Sequence, residues 1–145
     1  PQELVAAFRR HEKDELLHGL PPMPGIPEAL TALQDAGVKH YVATHRDMVS
    51  RDLLEKAGLL PCFSGFVTEE DKLPRKPAPD MLLHLMAKHS LSPAECVMIG
   101  DRPLDTESGM AAGVLSVLID PEDRFPSGRC DLRVRSARDI VPLMI

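Results

Sequence analysis

Apolar positions along this 145-residue chain fall into two alternating rhythms, one of helical and one of strand-like period. Over residues 2–19, Leu4, Val5, Phe8, Leu16 and Leu17 recur at roughly helical spacing and predict a helix. Gly19 and the run Pro21-Pro22-Met23-Pro24-Gly25 stop it and make the clearest linker-like break. Pro27 suits a helix start and Gly37 the position after its end. Residues 38–44 read as a strand, and Asp47 suits the cap of a helix that Gly58 closes. Residues 63–68 read as strand and 79–89 as helix, with Met81, Leu82, Leu85 and Met86 on one face. Ser92-Pro93-Ala94-Glu95 has capping-box spacing. A strand over 96–100, a helix over 105–112 ended by Gly113, and a nearly continuous apolar strand over 114–119 follow. Residues 120–130 are loop, 132–134 a short strand and 136–144 a final helix.

Strands that alternate with helices and are apolar on both faces predict an α/β fold. It is a Rossmann-like, doubly wound parallel sheet covered by helices on both sides. The length suits one domain with one core. Aromatics are only 3% of residues, so that core must be built from Leu, Val, Ile, Met and Ala. A net charge of −5 with so few rings argues against nucleic acid as a partner, because that role needs basic faces and stacking rings. No apolar run approaches membrane-spanning length and no signal-peptide pattern opens the chain, so the expected location is the cytoplasm. Cys62, Cys96 and Cys130 are isolated and form no Cys-x-x-Cys pair. They read as buried free thiols in a reducing compartment.

Three clusters lie where loops leave strand ends, the place at which open α/β sheets hold ligands. Thr44-His45-Arg46 directly follows the strand over 38–43. A hydroxyl and free amides at the next helix start suit a phosphate oxygen, although Thr44 could merely end a strand and cap that helix. In Pro74-Arg75-Lys76-Pro77-Ala78-Pro79, prolines fix the backbone on both sides of Lys76. A lysine held there can neutralise an anion, or it can be a solvated side chain in a turn. In Val97-Met98-Ile99-Gly100-Asp101-Arg102-Pro103-Leu104-Asp105, an apolar run ends in Gly-Asp and a second Asp follows four residues later. Such a pair suits a hard cation such as Mg²⁺. Asp105 could instead be an N-cap, but an ionised Asp101 ending an apolar strand is costly without a cation or donors. The basic group Arg124, Arg129, Arg133, Arg135 and Arg138 reads as solvated surface. His11, His18, His40, His84 and His89 show no ligand spacing.

In order, these clusters resemble the haloacid dehalogenase superfamily of phosphohydrolases from about residue 22 to the C-terminus. The nearest likeness is to its phosphoglycolate-phosphatase-like or β-phosphoglucomutase-like branch with a helical cap. Pro24-Gly25-Ile26-Pro27-Glu28-Ala29-Leu30 looks like the segment returning from the cap. Thr44 matches the second motif, which with His45 is expected at the phosphate. Lys76 in Lys-Pro-x-Pro matches the third, and Gly100-Asp101-x-x-x-Asp105 the fourth, whose acidic residues hold Mg²⁺. The resemblance implies Mg²⁺-dependent hydrolysis of a small phosphorylated metabolite through an aspartyl-phosphate, with Lys76 and Asp101 as catalytic residues.

The family begins with Asp-x-Asp on a first strand, and no Asp-x-Asp exists in this chain. Residues 1–20 resemble instead the last helix of the cap, leaving 21–145 as the α/β core. In the family that first strand lies between those expected here at 38–43 and 96–100. Its removal leaves two strands without their shared neighbour, an arrangement costly in unpaired backbone groups and open to self-association. The expectation is therefore a chain belonging to a longer enzyme. The competing readings are a non-catalytic binding module of the same fold, a phosphomutase and, last, a receiver-like signalling domain.

Overall fold

The computed structural model describes residues 23–47 and 49–144. The helix predicted over 2–19, and with it the cap remnant assigned to 1–20, lies outside the described residues. The first described helix, α1 (Ile26–Asp35), has Gly25 as its N-cap in the left-handed region at φ 87°. A Cβ there would also meet the Ser136 hydroxyl at 3.0 Å, so glycine answers two demands at once. Then come β1 (His40–Ala43), α2 (Val49–Lys56), β2 (Phe63–Val67), α3 (Asp80–Lys88) and β3 (Val97–Gly100). The order continues with α4 (Pro103–Ala111), β4 (Leu115–Ile119), β5 (Leu132–Val134) and the last turn, α5 (Val141–Met144).

Two predicted boundaries change for local reasons. Helix α4 starts at Pro103, not Asp105, because proline suits the first helical position. Asp105 therefore lies inside the first turn, its N–H donating to Arg102 O at 3.0 Å, and is not the N-cap. The final segment is a 3₁₀ turn over Ala137–Ile140, whose cap Ser136 accepts from the Arg138 N–H, followed by α5. Pro142 brings no N–H, so one α-helical ladder cannot run unbroken through it.

All strand pairings are parallel, as the α/β reading requires, but they form two sheets: β1 with β2, and β3-β4-β5. The Thr44 N–H extends the β1–β2 ladder to Val67 O at 3.0 Å. Main-chain groups alternate sides along a strand, so those of Tyr41 and Ala43 point away from β2. Burial follows pairing. Strand β4, paired on both sides, is buried from Ser116 to Ile119, whereas β1 is only half-buried throughout and Ile99 of β3 is 36% exposed.

Two apolar clusters form the core. One joins Val67 to Met81, Leu82, Leu85 and Met86 of α3, with Ala112 and Val114; Tyr41, Ala43 and Met98 pack against it. The other joins Val117 and Ile119 to Ala29 of α1, Ala137 and Ile140. Helix α4 lies tight on β3 and β4 because Gly109 has no side chain. A Cβ there would sit 2.2 Å from Ser116 Oγ and 2.6 Å from Met98 Cβ. That close approach sets the position of the first turn of α4, and so of Asp105.

The basic group divides. Arg124, Arg135 and Arg138 make exposed ion pairs with Glu122, Asp123 and Glu28 at 3.0, 2.7 and 3.2 Å. Arg133 is exposed as expected but also makes a structural tie. Its guanidinium reaches the buried Asp120 at 2.8 Å and the carbonyls of Phe125 and Gly128 at 2.7 and 3.3 Å, tying the loop after β4 to β5.

Candidate active site

The C-terminal ends of β1 and β3 carry the candidate residues, and the loop of Pro74–Pro79 lies across them. Thr44, at the end of β1, accepts the Arg46 N–H through Oγ1 at 3.1 Å, a local turn that leaves its hydroxyl hydrogen available. His45 Nε2 accepts the main-chain N–H of Lys76 at 2.9 Å. Since Nε2 is an acceptor, the ring proton sits on Nδ1. Burial lowers the His45 pKa, and the charges of Lys76, Arg75 and Arg102 lower it further against the opposing pull of Asp105. The imidazole is thereby kept neutral.

The Lys76 ammonium spans the two sheets. It donates to Ala43 O at 3.1 Å, on the side of β1 turned away from β2, and to the carboxylate of Asp105. The two side chains are 7% and 9% exposed, so this is a buried ion pair. The loop is pinned a third time by Ser108 of α4, whose hydroxyl donates to Ala78 O at 2.8 Å. Gly100 completes the fit: a Cβ there would lie 2.2 Å from Asp105 Cβ. The glycine of the Gly-Asp pair is therefore what lets the end of β3 meet the first turn of α4.

The geometry thus gathers Thr44, His45, Lys76 and Asp105. Asp101 differs. It follows Gly100 at the end of β3 but is exposed, with no hydrogen bond or ion pair among the described residues. The cost of burial that marked it in the sequence does not apply. Ser108 and the Ala43 carbonyl were missed. Ser108 had a signal, because Asp105, Thr106, Ser108 and Gly109 make one small, polar, buried face on α4. Ala43 had none, since every residue has a carbonyl.

In kind, the donors suit a hard cation: two carboxylates beside one strand end, the number Mg²⁺ commonly takes along with water and phosphate oxygens. Among the described residues no group of three or more His, Cys, Asp or Glu side chains is arranged to hold a metal ion by itself. No helix among them is long and apolar enough to cross a membrane.

Residues 2–113 match the family model of the haloacid dehalogenase-like hydrolases. Hexitol phosphatase A of Escherichia coli is 31% identical over 95% of this chain and 65% of its own length. The chain also spans only 53% and 49% of two further curated relatives, so it covers half to two-thirds of such proteins. Among solved structures, a HAD phosphatase from Thermococcus onnurineus superposes with a TM-score of 0.78 at 25% identity, covering 83% of this chain and 57% of that one. The HAD-hydrolase YfnB of Bacillus subtilis, described as bound to magnesium, shares the fold with a TM-score of 0.85 at 18% identity, covering 96% and 62%.

Proposed function

Since this chain belongs to the haloacid dehalogenase-like hydrolases, we propose that it forms most of the core of a Mg²⁺-dependent phosphatase acting on a small phosphorylated metabolite. The observation that carries the reading is the Lys76 ammonium, buried between the ends of β1 and β3 on Ala43 O and Asp105. An ammonium has three donors and two are used there. The third is available to a phosphoryl oxygen, as are the Thr44 hydroxyl and the amides that follow it. Asp101 and Asp105 would hold Mg²⁺, which when bound offsets charge on the transferring group. Relatives named as phosphatases, one of them for hexitols, support phosphate-ester hydrolysis. The three unpaired cysteines support the cytoplasm as its location.

The nucleophile is the carboxylate that this chain does not carry in an Asp-x-Asp. We place it on an upstream strand that enters between β1 and β3, pairs with the outward-facing groups of Tyr41 and the N–H of Ala43, and covers Ile99. The chain spans 65% of hexitol phosphatase A, which leaves length for such a strand and for a cap that would choose the substrate.

The test compares hydrolysis of p-nitrophenyl phosphate, with and without Mg²⁺, by this chain and by the product that includes the residues encoded upstream. The expected result is turnover only by the longer protein and only with metal, and its near-abolition by Asp101→Asn. Metal-dependent turnover by the 145-residue chain alone would overturn the account of the nucleophile. Inactivity of both proteins would favour a non-catalytic binding module. That reading has one supporting observation, a Lys76 charge already balanced by Asp105.

A further inference from the structure

From the hydrogen bond between His45 Nε2 and the Lys76 N–H, we infer that the His45 ring is a positioning group that sets the height of the Lys76 ammonium through its main chain, with Nε2 turned to that amide and not to the phosphate. The inference rests on the reading of Lys76 as the phosphoryl-binding cation. Three features carry it. The bond, 2.9 Å long, joins residues 31 apart in sequence, so it is a tertiary tie and not a local turn. The Nε2 lone pair is spent on that bond, which removes this nitrogen from any contact with substrate. And the tie acts at the main chain of the same residue whose ammonium meets Ala43 O and Asp105. The bond acts on the main chain of Lys76, so losing it frees the root of the lysine and not only its tip, within the stretch that the prolines at 74 and 77 bound.

The requirement is for an acceptor, and only a neutral imidazole offers one. The charged groups around the ring are Lys76 and Arg75 on the proline loop, Arg102 before α4, and Asp105 on α4. The three cations disfavour imidazolium and Asp105 opposes them. The same loop is held from the far side by Ser108 on Ala78 O. His45 and Ser108 therefore clamp the loop between the β1 end and α4, with Lys76 between them.

The experiment uses the 145-residue chain itself, labelled with ¹⁵N. A two-bond nitrogen–nitrogen coupling between the Lys76 amide and His45 Nε2 is expected, with imidazole shifts of the Nδ1–H tautomer. In His45→Phe the acceptor is gone. The Lys76 ammonium resonance should then shift or broaden away, and affinity for inorganic phosphate, followed on the Thr44 amide, should fall about fivefold to tenfold. In His45→Gln the amide oxygen reaches roughly the place of Nε2 and should restore most of both. Absence of the coupling in the unaltered chain overturns the inference. So does an unchanged Lys76 ammonium in folded His45→Phe, or a folded His45→Gln that behaves like His45→Phe. If His45→Phe fails to fold, the coupling and the glutamine variant still decide. If the unaltered chain binds no phosphate, the phosphoryl-binding reading of Lys76 fails while the brace is judged on the coupling and the ammonium signal.

Discussion

Lys76 and Asp105 are only 7% and 9% exposed, so water can relieve neither charge if its partner is removed. Truncating one member of such a pair leaves an uncompensated charge and typically costs about 3–5 kcal/mol. Asp105→Ala should accordingly lower unfolding free energy by about that amount. The double replacement Asp105→Leu with Lys76→Met should recover most of it, because no charge remains buried. Urea unfolding of the unaltered chain, Asp105→Ala and the double variant measures this; a loss below about 1 kcal/mol in Asp105→Ala would mean the pair is effectively solvated. The test also separates stability from chemistry, since the double variant would lack the cation proposed for the phosphoryl group.

Between β4 and β5, a loop is held at the element scale by one carboxylate. Asp120, 2% exposed at the end of β4, accepts the N–H groups of Arg124 and Phe125, each at 2.9 Å, and the Arg133 guanidinium at 2.8 Å. Burial pushes its pKa up. The two N–H groups and the charges of Arg133 and Arg124 more than offset that and hold it below the usual aspartate value. A carboxyl depressed in the folded state adds stability that is full above the unfolded pKa. That stability is lost as pH falls through the folded one. The urea midpoint of the unaltered chain should exceed that of Asp120→Asn at about pH 7, and the gap should narrow as pH drops below about 4. A gap that widens toward acid would contradict this assignment. The effect should concentrate in the loop and β5, since β4 keeps its pairing with β3.

For the molecule as a whole, the break between the β1–β2 pair and the β3-β4-β5 sheet is the dominant fact. Strand β4 has a neighbour on each side, while β1 and β3 each have one. Amides that face a strand neighbour exchange only when the structure opens, whereas amides facing none exchange by small local motions. The Tyr41 and Ala43 amides should therefore exchange at least about tenfold faster than those of Val117 and Leu118, a local difference of about 1.4 kcal/mol. In a longer product whose upstream strand fills the break, the Tyr41 and Ala43 amides should slow while Val117 stays the same. Equal rates at all four positions in the 145-residue chain would mean that the edge of β1 is already covered.

What the sequence determined by itself is local and periodic. Apolar runs of strand length, helices spaced between them, and the punctuation of Pro27, Gly37 and Gly58 defined an α/β chain of parallel strands, because period and turn chemistry act over a few residues. The order of Thr44, Lys76 and Gly100-Asp101 with Asp105 was equally legible, since short motifs survive as strings. Only the tertiary structure decided which of them touch. It drew Asp105 into α4 and onto Lys76 through the glycine at 100, joined Arg133 to the buried Asp120, and set His45 Nε2 on the Lys76 amide. Each of those outcomes depends on contacts between residues 13 to 31 positions apart, or on the absence of a single Cβ. Neither leaves a mark in local pattern.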